Sequence, residues 1–192
     1  MKFTHTFSSL LLAATMFLAG CSQQINYTDY VDPKIGTGDH GHVFVGANVP
    51  FGLVQVGPTS IPQDWDWCSG YHASDSTVIG FSHTHLSGTG IGDLFDVTLM
   101  PVIGDVTYAR GVESDPTSGM WSYADRTKEV ARPGYYSVPL TRYGVTADMT
   151  ATKRVGFHRY TFPASEEAAI VIDLQNGGCW DKTTEAYMKQ VS

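Results

Sequence analysis

The sequence predicts an all-β protein built as an antiparallel β-sandwich. Val145, Ala147, Met149 and Ala151 alternate with Thr146, Asp148, Thr150 and Thr152, the period of two that gives a strand one buried and one wet face. Proline and glycine punctuate the chain at roughly eight- to twelve-residue intervals, as sandwich turns require. Beyond residue 20 no run repeats its apolar positions with the helical period over a length that would make a helix.

Residues 1–20 stand outside that fold. Lys2 gives a short basic start, and Phe7 to Gly20 is an uncharged, mostly apolar run ending in small residues, the composition of an export signal. The run is too short for a stop-transfer helix. It closes as Leu18-Ala19-Gly20-Cys21, which resembles the lipobox of bacterial lipoproteins. That resemblance implies cleavage before Cys21 and acylation of its thiol and amino group. Several acyl chains, at about 0.8 kcal/mol per buried methylene, make a stable membrane anchor where one would be marginal. Ser22, in place of the aspartate that often retains lipoproteins at the inner membrane, favours the outer membrane, with a periplasmic or cell-surface domain. Residues 21–29 are then a tether and residues 30–192 the domain.

From Ile35 to Pro101 the chain is rich in glycine, histidine and aspartate and reads as a long loop region, a length that compact domains reserve for function. Strands follow in DVTLMPVIG (96–104), DVTYARG (105–111) and GYYSVPLTR (134–142). The alternating strand 145–151 turns tightly at Lys153-Arg154 into VGFHRYTF (155–162), an antiparallel pair. AAIVIDL (168–174) reads as a buried strand that needs partners, yet the remaining residues, ending TTEAYMKQVS, offer no closing strand or cap. The sandwich is therefore expected to be incomplete at its C-terminal end.

Composition excludes some functions. The net charge is −7, and removing residues 1–20 takes away one lysine and no acid, leaving −8. Only 12 lysines and arginines are present, scattered mostly from Arg110 onward, so the clustered cations of a nucleic-acid binder are missing. With Cys21 acylated, Cys68 and Cys179 remain. An exported protein permits a disulfide between them, although nothing in their spacing marks one, and free thiols are the preferred reading.

The most unusual stretch is Asp64-Trp65-Asp66-Trp67-Cys68-Ser69-Gly70-Tyr71-His72, which crowds two indoles, two carboxylates, a thiol, a phenol and an imidazole together without strand or helix period. Five of the seven histidines fall between His40 and His85, as DHGH, YH and SHTH. An H-x-H pair on a strand points both rings to one face, so His40, His42, His83 and His85 are candidate metal ligands, with Asp39 or Asp93 as the carboxylate. Against this, SHTH sits among serines and threonines that suggest hydrogen-bonded loop packing. GTGDHGH and LSGTGIGD lack the lysine of a phosphate loop and the strand–helix setting of a dinucleotide site. No G-x-S-x-G elbow is present. Carbohydrate chemistry fits best. A sugar has an apolar C–H face and a hydroxyl rim, and it is matched by flat aromatic rings beside carboxylate, imidazole and glycine-exposed backbone groups.

Taken together, YVDPKIGTGDHGHVFVGANVPFGLVQVGPTS and DWDWCSGYHASDSTVIGFSHTHLSGTGIGDLFDVTLMPVIGD resemble the N-terminal domain of glycoside hydrolase family 92, over about Tyr30 to Gln175. The family's usual GHTFPGA is here Gly41-His42-Val43-Phe44-Val45-Gly46-Ala47, and Phe95 replaces a smaller residue. The resemblance implies an N-terminal, supersandwich-like β-domain packed on a larger helical (α/α)6 barrel. It also implies calcium-dependent exo-α-mannosidase activity with inversion on terminal α-mannosides, for example α-1,2-linked ones from N-glycans or mannans. By the same resemblance the acid, the base and the calcium ligands belong to the helical partner domain, so this chain alone is expected to be inactive. Its share would be a pocket wall contacting α-mannoside glycans through Trp67, Asp66, His42, Phe44, Cys68 and Gly70. Trp65, Tyr71, His83 and His85 are expected to divide between the loop base and the domain interface. Asp93 and Asp96 read as turn residues, and Trp121 and Trp180 as core.

Two other readings stand beside this one. A stand-alone, lipid-anchored glycan-binding module would use the same aromatic loop, and a histidine-bound metal oxidoreductase would use the H-x-H pairs.

Overall fold

The computed structural model describes residues 25–175 and 183–191. Eleven strands lie in the described residues, in chain order β1 Ala47–Asn48, β2 Gln55–Thr59, β3 Thr77–Val78, β4 Gly80–Ser82, β5 Thr98–Ile103, β6 Ser122–Tyr123, β7 Val130–Arg132, β8 Tyr135–Leu140, β9 Val145–Ala151, β10 Gly156–Thr161 and β11 Ala168–Asp173. Every pairing is antiparallel. A five-stranded sheet of order β1-β2-β4-β5-β11 packs on a four-stranded sheet of order β10-β9-β8-β7, with β3-β6 as a small third sheet.

The alternation at 145–151 is realised: Val145, Ala147, Met149 and Ala151 are buried and their neighbours face outward. They meet Val45, just before β1, and Ala47, Val56, Phe81, Met100 and Val102 of the five-stranded sheet, with Tyr136, Val138 and Leu140 from β8. These inward-facing residues form the core between the sheets. The β9–β10 connection is the tight turn expected at Lys153-Arg154, closed by Thr152 N–H donating to the Val155 carbonyl at 2.9 Å.

Three expectations need correction. The region 35–101 is not one long loop, since it holds β1 to β4 and the start of β5. These strands are short, and β2 to β4 are buried on both faces, so they show no alternation. Gly46 and Gly57 let β1 and β2 approach closely: a Cβ on Gly46 would lie 2.1 Å from the Val56 carbonyl oxygen. DVTYARG forms no strand. It lies between left-handed Gly104 and Gly111, and Met120 N–H closes onto the Ala109 carbonyl instead of a ladder. AAIVIDL does form β11, the outermost strand beside β5 among the described residues; Val171 packs against the core, while Ile170 and Ile172 on the opposite face are exposed rather than buried.

Candidate functional site

Three loops, 36–44, 64–72 and 83–97, converge beside β1, β2 and β4. The Trp segment winds into a 3-10 turn, Trp65–Trp67, prolonged by Gly70 N–H donating to the Trp67 carbonyl at 2.9 Å. At three residues per turn, positions two apart are rotated by about 240°, so the two indoles diverge. Gly70 ends the segment at φ 81°, in the left-handed region, and a Cβ there would meet the Phe95 ring at 2.8 Å. Gly70 thus serves both the turn and the close packing of Phe95.

Trp65 points outward and is 55% exposed. Its Nε1–H donates to the Gly90 carbonyl at 2.7 Å, and its ring stands edge-on to His42 with centroids 4.3 Å apart. Gly90 is left-handed, with room for a Cβ only 3.0 Å from the Trp65 ring. Asp66 Oδ1 accepts from His40 Nδ1 at 2.7 Å and from His42 Nε2 at 3.1 Å. Asp66 Oδ2 accepts no hydrogen bond from any described residue. The His40 hydrogen bond holds the Asp66 carboxyl below its ordinary range, with His42 adding to the effect against desolvation, and the same bond raises the His40 imidazole. An ionised carboxylate with one open oxygen therefore lies beside an exposed indole, the polar and apolar pair that a pyranose ring needs.

Trp67 faces the other way. Its ring stacks on His72 at 4.3 Å, and its Nε1–H donates to Asp75 Oδ2 at 2.7 Å. Cys68 is buried, forms no disulfide, and its thiol is raised by that burial. Its carbonyl accepts from Asp93 N–H at 2.8 Å. Phe44 stacks on His85 at 4.7 Å, and His85 bridges Ser82 Oγ, 3.0 Å, and Asp93 Oδ2, 3.3 Å. The structure thus joins His42 and Asp66 directly. Trp67, Cys68 and Gly70 sit behind them in the same loop. Phe44 lies in a neighbouring shallow cleft with Pro33, Pro50 and Ser87, and its stacking partner His85 leads through Asp93 to the Cys68 carbonyl of the Trp segment.

The histidines expected as a metal set are divided. His40 and His42 go to Asp66, His85 to Ser82 and Asp93, and His83 to His158, Nε2 to Nε2 at 3.0 Å. Among the described residues no group of three or more His, Cys, Asp or Glu could hold a metal ion. Asp93 is a buried partner of His85 rather than a turn residue, while Asp96 contributes its backbone to the 83–97 loop. Trp121 is core, as expected. Cys21, Cys179 and Trp180 lie outside the described residues.

Residues not singled out from sequence hold the loop from behind. Asp75 Oδ1 accepts from Thr77 N–H at 2.7 Å, and its Oδ2 also takes Gln63 Nε2 at 3.0 Å. Arg126 donates twice to the Asp75 carbonyl, at 2.9 and 3.2 Å, and lies over the Tyr71 ring at 4.5 Å. Glu129, buried beside Arg126, accepts from Tyr71 OH at 3.1 Å across 58 residues of chain. Only the Asx-like turn at Asp75-Ser76-Thr77 carried a local signal for any of these.

The class follows from the fold and the comparisons together: an all-antiparallel β-domain of the kind glycosidases carry. The family model described as the glycosyl hydrolase family 92 N-terminal domain matches residues 30–192, and the chain belongs to that family. A family GH92 α-mannosidase of Bacteroides thetaiotaomicron, solved in complex with mannoimidazole, superposes with a TM-score of 0.77 at 44% identity, over 81% of this chain and 20% of that one. An inverting mannosidase of the same family and organism gives 0.65 at 26% identity, over 79% of this chain and 20% of that one. An uncharacterized secreted glycosidase of Arthroderma benhamiae is 33% identical over 156 residues, 76% of this chain and 19% of that protein. The chain thus spans about a fifth of the length of these relatives. No helix among the described residues is long and apolar enough to cross a membrane.

Proposed function

We propose that this chain is the substrate-pocket wall of an exported α-mannosidase that hydrolyses terminal α-mannosides with inversion. The observation that carries this reading is the Trp65–Asp66–His42 arrangement, an exposed indole beside a carboxylate with a free oxygen, in a chain 44% identical to a GH92 α-mannosidase. The indole face receives the sugar's C–H face, and Asp66 Oδ2 accepts a ring hydroxyl. His40 and His42 fix the carboxylate's orientation and keep it ionised, so no reorganisation is needed when the hydroxyl arrives. Inversion requires two carboxyl groups roughly 6.5–9.5 Å apart with a water between them. Asp66, committed to two imidazoles, does not serve as either, and both are assigned to polypeptide that the longer relatives carry. Apolar residues exposed on the loops of this end, Phe51 at 105% and Leu53 and Ile91 beside the site loops, are consistent with a covering by such polypeptide.

Calcium belongs to the same proposal. It takes six to eight oxygen ligands, and the described residues offer no cluster suited to it, so no step here passes through the ion. Acylation at Cys21 would tether the enzyme at the outer membrane.

Residues 22–192, purified, are expected to give no α-mannosidase turnover with or without calcium, while α-mannobiose quenches their tryptophan fluorescence and Trp65→Ala abolishes the quenching. Turnover that survives repurification would overturn the division of labour. Unchanged quenching in Trp65→Ala would remove Trp65 from the wall.

A further inference from the structure

We propose that Glu129, far from the loop in sequence, is the positioning residue that sets the orientation of the tryptophan segment. Its side chain is 1% exposed, and its carboxylate gathers four donors from four parts of the chain. Tyr71 OH and Lys34 Nζ reach Oε2 at 3.1 and 2.6 Å, while Tyr136 OH reaches Oε1 at 2.6 Å beside the Arg126 guanidinium. Lys34 comes from the N-terminal segment, Tyr71 from the Trp loop, Arg126 from the 3-10 turn Arg126–Lys128, and Tyr136 from β8.

None of these bonds completes a strand ladder. They converge on one loop by two routes. The direct route is the Tyr71 hydroxyl. The second runs through Arg126, which Glu129 holds and which grips the Asp75 carbonyl; the Asp75 carboxylate takes the Trp67 indole N–H. Arg126 also covers the Tyr71 ring, so the segment from Trp67 to Asp75 is tied at its middle and at its Asp75 end to one buried ion pair. A buried carboxylate with this many donors has a single well-defined geometry, and removing its charge leaves Arg126 and Lys34 facing an amide.

What the loop is for rests on the mannoside-wall reading, but its orientation is testable without a sugar. In 15N-labelled protein the Trp67 indole N–H reports the Asp75 bond, and the Trp121 indole serves as a reference. Glu129→Gln and Arg126→Lys are expected to move the Trp67 indole resonance and cut its exchange protection about tenfold, the worth of one hydrogen bond to a charged group. Trp121 and the amides of the β5–β11 pair, which lie outside the Glu129 cluster, should stay as they are. Tyr71→Phe, which removes one hydroxyl from the direct route, should give a smaller shift of the same sign, and it decides the matter if Glu129→Gln does not fold. A folded Glu129→Gln or Tyr71→Phe protein with the Trp67 indole unmoved would overturn the assignment. Protection lost equally at Trp121 would do the same, because it would reveal a merely structural role. Failure of the wild type to bind mannobiose would count against the mannoside reading and leave the indole result standing.

Discussion

His83 and His158 form a clasp between the sheets whose proton positions follow from one acceptor. The Val97 carbonyl can only accept, so His83 Nδ1 carries hydrogen toward it and His83 Nε2 presents a lone pair. His158 Nε2–H then donates across 3.0 Å, leaving His158 Nδ1 to accept from Tyr160 OH at 2.9 Å. This directional chain exists only while both imidazoles are neutral. Burial, then the neighbouring His83, lowers His158 to about 4; burial likewise lowers His83, and burial raises the Tyr160 phenol.

The perturbation is acid. In the unfolded chain His158 takes up its proton near the ordinary 6.5, whereas in the folded protein it resists until about 4. The unfolded state therefore binds more protons throughout that window, and stability falls as pH drops from 6.5, with the loss complete near 4. At 1.36 kcal/mol per pK unit the whole window is worth about 3 kcal/mol, with a slope near 1.4 kcal/mol per pH unit for one proton. Urea unfolding at several pH values between 7.5 and 4.5 measures it, with His158→Gln as the control. The variant should lose about 1–2 kcal/mol at pH 7.5, where Tyr160 and His83 lose a partner, and its pH slope should be shallower. Equal slopes in both proteins, or a His158 ring titrating near 6.5 by NMR, would refute the reasoning.

Two further outcomes are specific. Trp65→Ala should cost little stability because its indole is half exposed, whereas Trp67→Ala should cost about 3 kcal/mol by removing a stacked ring and leaving Asp75 short of a donor; thermal melts of the two separate these roles. Gly57→Ala places a Cβ 2.2 Å from the Val45 carbonyl, so β1 must move and about 3 kcal/mol or more should be lost, read by chemical denaturation.

The strands readable from sequence were those with one wet face or a long apolar run: β5, β8, β9, β10 and β11. Those missed, β1 to β4 with β6 and β7, are two to five residues long, too short to display a period; β2 to β4 are also buried on both faces, and Gly46 and Gly57 read as turn residues although they mark where two backbones touch. DVTYARG misleads because its β-branched and aromatic residues supply propensity without a neighbouring strand to pair with. The site was legible as a motif but not as a geometry. DWDWCSGYH marks the segment, yet which indole faces outward depends on the handedness of a 3-10 turn and on Asp75, eight residues past Trp67. Glu129 gave no local signal, since its partners are assembled by the fold.

Backbone strain ties these parts together. Among the described residues five non-glycines have left-handed φ, and four sit on the site loops: Asp39 and His42 on one, Phe95 and Val97 on the other. Val97, at φ 52°, is the costliest because a β-branched side chain crowds the left-handed backbone, at about 1–2 kcal/mol. The neighbouring bonds offset that cost: the His83 ring holds the Val97 carbonyl, and Gly88 N–H holds the His42 carbonyl at 2.6 Å. Val97 is 45% exposed, so replacing it sacrifices only part of a buried side chain. Val97→Asn keeps the carbonyl and tolerates the left-handed backbone through its short polar side chain. The variant should gain about 1 kcal/mol in urea unfolding at pH 7.5 while the His158 pH slope stays intact. A loss of stability instead would mean that the Val97 side chain, not its backbone, supports the clasp, and that the loop is built around its isopropyl group.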